Sequence, residues 1–121
     1  MPLMLIAGLL QVVYRSEAGL PALVWVSNTI SRVTGLVVNR KKFDSENYQI
    51  MNYGLGGAIL VHQDVDDASS IDETYSDHVS HGGPRLLTYM VYLTEVEEGG
   101  NTVFTSAGVA SQPNAGDALF W

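Results

Sequence analysis

From Tyr48 onward the chain is a succession of short apolar or aromatic runs separated by glycine and turn-forming residues, and one stretch, 21–34, carries a helical period. That contrast constrains the fold more than any other feature. Leu23, Val26, Ile30 and Val33 recur at spacings of three, four and three, which is one face of a 3.6-residue period. Pro21 suits a first helical turn, and Gly35 is a natural stop. The runs 48–53, 58–65, 86–93, 102–105 and 118–121 read as strands, with 86–93 apolar enough for a buried one. The stretch 106–116 between the last two reads as turn. One helix followed by several short strands predicts an α+β or barrel-like sheet domain.

With 121 residues the chain fits one small domain, and 46% hydrophobic against 16% charged residues supplies material for a core. The formal charge of -7 argues against a nucleic-acid surface, which needs a basic face. There is no cysteine, so disulfides and thiolate metal sites are excluded. The segment 3–14 is apolar but too short to span a bilayer, which takes about 20 residues. It lacks the basic start and small-residue cleavage site of a signal sequence, which leaves a buried strand or helix as the plainer reading. Residues 39–44 read as a solvated connector, and 66–84 as a long acidic loop of the kind that is often functional. That loop is not an EF-hand. Counting from Asp64, Ser69 stands where glycine is needed and Tyr75 where the bidentate glutamate is needed.

The strongest chemical signal is His62-Gln63-Asp64. On a strand, residues two apart share a face. An imidazole and a carboxylate side by side are two of the three ligands of a 2-His-1-carboxylate non-haem iron(II) site, which keeps positions open for dioxygen and a co-substrate. The plain alternative is a surface histidine beside an acidic loop. Against it, an apolar run that abruptly presents His and Asp breaks its own pattern, and such breaks concentrate at functional sites. His78 and His81, the other imidazoles, lie in the acidic loop and read as solvated.

Several ordered motifs carry a family resemblance. They are Tyr48-Gln-Ile-Met-Asn-Tyr-Gly-Leu-Gly-Gly57, then His62-Gln-Asp64, Thr88-Tyr-Met-Val-Tyr-Leu-Thr-Glu-Val96, Glu98-Gly-Gly-Asn-Thr-Val-Phe104 and Gly116-Asp-Ala-Leu-Phe-Trp121. Together with 24–36 they resemble the catalytic domain of collagen-type prolyl 4-hydroxylase α subunits over residues 14–121. The apolar start, 1–13, lies outside the resemblance. The resemblance implies a single partial domain over 1–121, mainly β with one or two N-terminal helices. Its fold would be a double-stranded β-helix, or jelly roll, incomplete at its C-terminal side. It implies an oxidoreductase that hydroxylates peptidyl proline with dioxygen and 2-oxoglutarate, with iron(II) held by His62 and Asp64. No further catalytic group is implied. Ascorbate would serve as reductant, and Tyr53, Thr88 and Tyr92 would lie around the 2-oxoglutarate pocket. Hydroxyl donors there make sense, because a carboxylate entering an apolar barrel needs hydrogen bonds. Without the resemblance, Tyr53 and Tyr92 read equally well as packed aromatics and Thr88 as a β-former. The implied partners are a collagen-like proline peptide and a protein disulfide isomerase β subunit, and the implied setting is the endoplasmic reticulum lumen, with neither nucleic acid nor membrane.

The sequence also departs from that family. The family's second metal-binding histidine and the lysine that pairs with the distal 2-oxoglutarate carboxylate both lie beyond the position of Trp121, and no Lys or Arg follows Arg85. Ile59 and Val61 replace the aromatic residue and the proline of the family's G-H-Y-x-P-H stretch. These departures lead to the expectation that residues 1–121 are inactive alone and, with sheet edges exposed, are poorly stable or self-associate. Three alternatives stay open: a non-catalytic jelly-roll module that binds a peptide or partner, a shortened paralogue, and a cupin-like metal-binding protein.

Overall fold

Residues 10–16, 20–38, 45–65 and 85–121 are described in the computed structural model of the chain. They fall into two compact units, one ending at Ile59 and the other made of 60–65 and 85–121. The connector 39–44 and the acidic loop 66–84, with His78 and His81, lie outside the described residues.

In the first unit strand β1, Leu10–Arg15, is followed by helix α1, Pro21–Thr34, and strand β2, Tyr48–Tyr53. The helix bounds are those the sequence predicts. Proline opens the first turn, where its missing N–H has no intrahelical partner to lose. Gly35 closes it at φ 75°, and its N–H reaches Ser31 O at 3.0 Å. Only glycine adopts that left-handed geometry without a steric cost. The inward face differs slightly from the predicted one. Ser27 and Ile30 are buried, Leu23 and Thr34 half-buried, and Val33 is 60% exposed. At about 100° per residue, 23, 27, 30 and 34 form one stripe, and Val33 lies roughly a quarter-turn away from it.

Strands β1 and β2 pair antiparallel, in register from Leu10↔Tyr53 to Arg15↔Tyr48. Directly opposed side chains interact there, with Gln49 Nε2 donating to Tyr14 OH at 3.3 Å. The described part of the apolar segment 3–14 is thus a strand, but an exposed one. Tyr48 ties the ribbon to α1. Its hydroxyl is hydrogen-bonded to Ser27 Oγ at 2.6 Å and lies 3.4 Å from the accepting Leu23 O.

In the second unit strands β3, Tyr89–Val91, and β6, Ala118–Phe120, pair antiparallel with Met90 opposite Leu119. Further backbone bonds extend this ladder at both ends, linking Thr88 with Trp121 and Tyr92 with Asp117 and Gly116. Strands β4, Thr102–Phe104, and β5, Val109–Ser111, form a hairpin whose turn is closed by Gly108 N donating to Phe104 O at 2.9 Å. Strand β5 sits inside the stretch predicted as turn. Its three residues are too few to stand out from the flanking glycines and polar residues. Aromatic contacts bind the pieces together. Tyr89 stacks on the opposed Phe120, and Phe104 meets Trp121 edge to face at 5.2 Å, joining hairpin to ladder.

Two expectations need correction. The run 58–65 forms no strand among the described residues. A strand needs a partner as well as apolar composition, and here Leu60 and Val61 remain 71% and 81% exposed. Nor is 86–93 a buried strand. Its ordered centre is β3, and Leu86 and Leu93 at its ends are largely exposed. Among the described residues only Ile30, Ser27 and Pro113 are buried, so the apolar composition does not translate into a large core there. The described residues form a mainly β arrangement of three two-stranded antiparallel sheets with one helix.

Candidate metal centre

His62 and Asp64 come together as the H-x-D spacing predicts, although not by strand alternation. Nε2 of His62 lies 3.1 Å from Oδ1 of Asp64. The imidazole is the open partner, with 56% of its side chain exposed against 19% for the carboxylate. The other ring nitrogen, Nδ1, is 2.8 Å from Leu60 O. A carbonyl only accepts, so Nδ1 carries a hydrogen and donates it. That bond fixes the ring orientation and directs Nε2 at the carboxylate, as in histidines that bind metals through Nε2.

This arrangement tests whether the pair suits a metal ion. With Nδ1–H committed to Leu60, Nε2 and Oδ1 are two electron-rich atoms face to face. Only a second ring proton or a cation can make that approach favourable. Two ligands held about 2.1 Å from one ion at right angles are about 3.0 Å apart, close to the separation seen. One nitrogen and one oxygen donor also match the ligand chemistry of non-haem iron sites. The two residues fit.

The carboxylate is held from its other side. Thr88 Oγ1 donates to Asp64 Oδ2 at 2.5 Å. Arg85 Nη1 donates to the backbone carbonyl of Asp64 at 2.5 Å. Arg85 is a contributor that the sequence alone leaves unmarked. The available signal is that it is the last cation of the chain, three residues before Thr88.

Thr88, Met90 and Tyr92 alternate onto one side of β3 and its extensions. Tyr92 OH donates to Thr102 Oγ1 at 2.8 Å and lies 3.5 Å from Ser111 O, so it engages the β4–β5 hairpin rather than Asp64. Tyr53 closes β2 in the first unit, with its hydroxyl 3.7 Å from Met51 Sδ, and desolvation raises its phenol pKa above the usual 10.0. The structure therefore gathers His62, Asp64 and Thr88 into one cluster, with Tyr92 at the other end of β3 from Thr88. Among the described residues no group of three histidines or acidic residues is poised to hold a metal.

Comparison with known proteins places the cluster inside a matched family segment. A family model described as the 2OG-Fe(II) oxygenase superfamily matches residues 48–121, which include His62, Asp64 and Thr88. The chain is 36% identical over 101 residues to prolyl 4-hydroxylase subunit alpha-2 of Gallus gallus, covering 84% of this chain and 17% of that protein. It is 35% identical over 96 residues to prolyl 4-hydroxylase subunit alpha-1 of Caenorhabditis elegans, covering 79% and 17%. It is 33% identical over 101 residues to prolyl 4-hydroxylase subunit alpha-1 of Homo sapiens, covering 84% and 18%. The matched region is thus less than a fifth of the length of each of these relatives. No solved structure matches. The match to the family model over 48–121, the span that holds the paired imidazole and carboxylate and the Thr88 hydroxyl, leads to one assignment: the chain belongs to the 2OG-Fe(II) oxygenase superfamily.

Proposed function

We propose that this chain carries part of the catalytic domain of a peptidyl-proline 4-hydroxylase, with His62 Nε2 and Asp64 Oδ1 as two protein ligands of iron(II). The observation that carries the reading is the 3.1 Å approach of these atoms while His62 Nδ1 is committed to Leu60 O. When bound, iron(II) supplies the activation of dioxygen, coupled to oxidation of 2-oxoglutarate to succinate and carbon dioxide. The protein's part is to position and to exclude. The Leu60 carbonyl sets the histidine tautomer. Thr88 and Arg85 hold Asp64, leaving Oδ1 directed at the histidine. The surrounding fold in this reading is a double-stranded β-helix, with which the antiparallel pairs β3–β6 and β4–β5 are compatible.

The proposed 2-oxoglutarate pocket is served by Tyr92, on the side of β3 and its extensions that also carries Thr88. Support comes from the face shared by Thr88 and Tyr92. Thr102, which accepts from Tyr92, keeps its own hydroxyl proton for a carboxylate. The proposed substrate is a collagen-like proline peptide, with ascorbate as reductant and a protein disulfide isomerase subunit as partner in the endoplasmic reticulum lumen. These rest on the likeness to prolyl 4-hydroxylase α subunits.

A second reading, a non-catalytic module that binds a peptide or partner, is favoured by one observation. Among the described residues no third ligand joins His62 and Asp64. Succinate release from 2-oxoglutarate, measured with iron(II) and a proline-rich peptide, separates the two. Release that needs both and is lost in His62→Ala supports the hydroxylase. Iron binding without release supports the module. Proline hydroxylation that survives His62→Ala overturns the ligand assignment.

A further inference from the structure

The segment carrying His62 and Asp64 belongs to no strand among the described residues, so no ladder fixes where its side chains point. What fixes Asp64 is a pair of contacts from one stretch of chain. Thr88 Oγ1 donates to Oδ2, and Arg85 Nη1 donates to the backbone carbonyl. Thr88 is a firm base for such a contact. Its N–H donates to Trp121 O at 3.0 Å, and its carbonyl accepts from Trp121 N at 3.2 Å, so its backbone is paired on both counts at the end of the β3–β6 ladder.

A threonine hydroxyl has one hydrogen, and a carboxylate only accepts. The proton of Thr88 is therefore spent on Asp64 and is not available to a co-substrate carboxylate. We infer that Thr88 is a positioning residue of the metal centre. Its hydroxyl occupies Oδ2, so that Asp64 offers Oδ1 alone, next to His62 Nε2, and Arg85 secures the backbone beneath it. Holding a carboxylate to one ligating oxygen keeps coordination positions open, whereas a freed carboxylate could chelate through both oxygens, as carboxylates do around larger cations. The inference rests on the metal reading of His62 and Asp64, and it moves Thr88 from binding a co-substrate to orienting a ligand.

The test uses the full chain and Mn(II) alone, titrated while the signal of the free ion is followed by electron paramagnetic resonance, with thermal melting as a control on folding. Thr88→Val keeps the β-branched shape and removes the hydroxyl. Thr88→Ser keeps the hydroxyl. The expected result is Mn(II) affinity about ten- to hundredfold weaker in Thr88→Val, the range seen when outer-shell partners of metal ligands are lost. Thr88→Ser should retain most of the wild-type affinity. Wild-type affinity in Thr88→Val, or equal weakening in both variants, overturns the positioning role while leaving the metal site standing. If Thr88→Val does not fold, Arg85→Met tests the same clamp, and unchanged affinity there overturns it. Wild-type protein that binds no Mn(II), or binding that His62→Ala leaves intact, overturns both the role and the metal reading.

Discussion

Nε2 of His62 and Oδ1 of Asp64 face each other at 3.1 Å from a segment that belongs to no strand among the described residues. Their approach is set by what each holds on its far side, the Leu60 carbonyl for the ring and the Thr88 hydroxyl for the carboxylate. If one ion is shared, either ligand is nearly useless without the other. His62→Ala and Asp64→Ala should each reduce Mn(II) or iron(II) affinity by more than the roughly ten- to hundredfold typical of outer-shell partners. The double variant should be scarcely worse than either single one, because interacting residues do not add. Additive losses from the two substitutions would mean that the residues do not share an ion.

How much of this was legible in the sequence depends on how local the signal is. Helix α1 was, down to its bounds, because an N-terminal proline, an apolar period and a terminal glycine all lie within it. The H-x-D pair was legible as a chemical unit, since residues two apart can bring an imidazole and a carboxylate together through local backbone geometry alone. Its setting was not. The run 58–65 has strand composition, but pairing is a property of two segments, and none among the described residues pairs with it. Strand β5 was hidden by the turn-forming residues around it. The Thr88–Asp64 contact joins residues 24 apart, and no periodicity spans such a distance.

Two glycines with the same backbone sign separate conformational cost from crowding. Gly35 has φ 75° and Gly100 has φ 67°, so both pay the left-handed penalty when a side chain is added. Around Gly35 an added Cβ meets nothing within 4 Å, whereas at Gly100 it would come within 3.1 Å of Val96 Cγ2 and 3.2 Å of Pro113 Cγ. Gly35→Ala should therefore cost about 1–2 kcal/mol, the strain of a left-handed non-glycine residue. Gly100→Ala should cost more, because Pro113 is buried and has little room to give. Urea unfolding of both variants checks the order, and equal losses would show that the β4–β5 region yields freely.

The edge-to-face contact of Phe104 and Trp121, with ring centroids 5.2 Å apart and planes at 72°, joins the β4–β5 hairpin to the β3–β6 ladder. Such pairs contribute about 0.5–1.5 kcal/mol beyond the area they bury. A double-mutant cycle with Phe104→Leu and Trp121→Leu should return a coupling energy in that range. A coupling energy near zero would mean that hairpin and ladder are joined chiefly by Tyr92 and Thr102.

Tyr53 provides a prediction in alkaline solution. Desolvation raises its phenol pKa above 10.0 in the folded state, so the neutral form is the one the fold favours. The sign follows from linkage. Below the unfolded value of about 10 both states keep the proton, and the stability of the neutral phenol is fully present. As pH rises towards the folded value, the unfolded chain ionises first, and that stability is lost. Tyr53→Phe cannot ionise and should lose less stability than wild type on moving from neutral pH to above about pH 10. A phenolate absorbance titration should show Tyr53→Phe lacking one of the later-ionising groups among the six tyrosines of the chain. Identical alkaline unfolding of the two proteins would place the Tyr53 hydroxyl in water, where no such penalty arises.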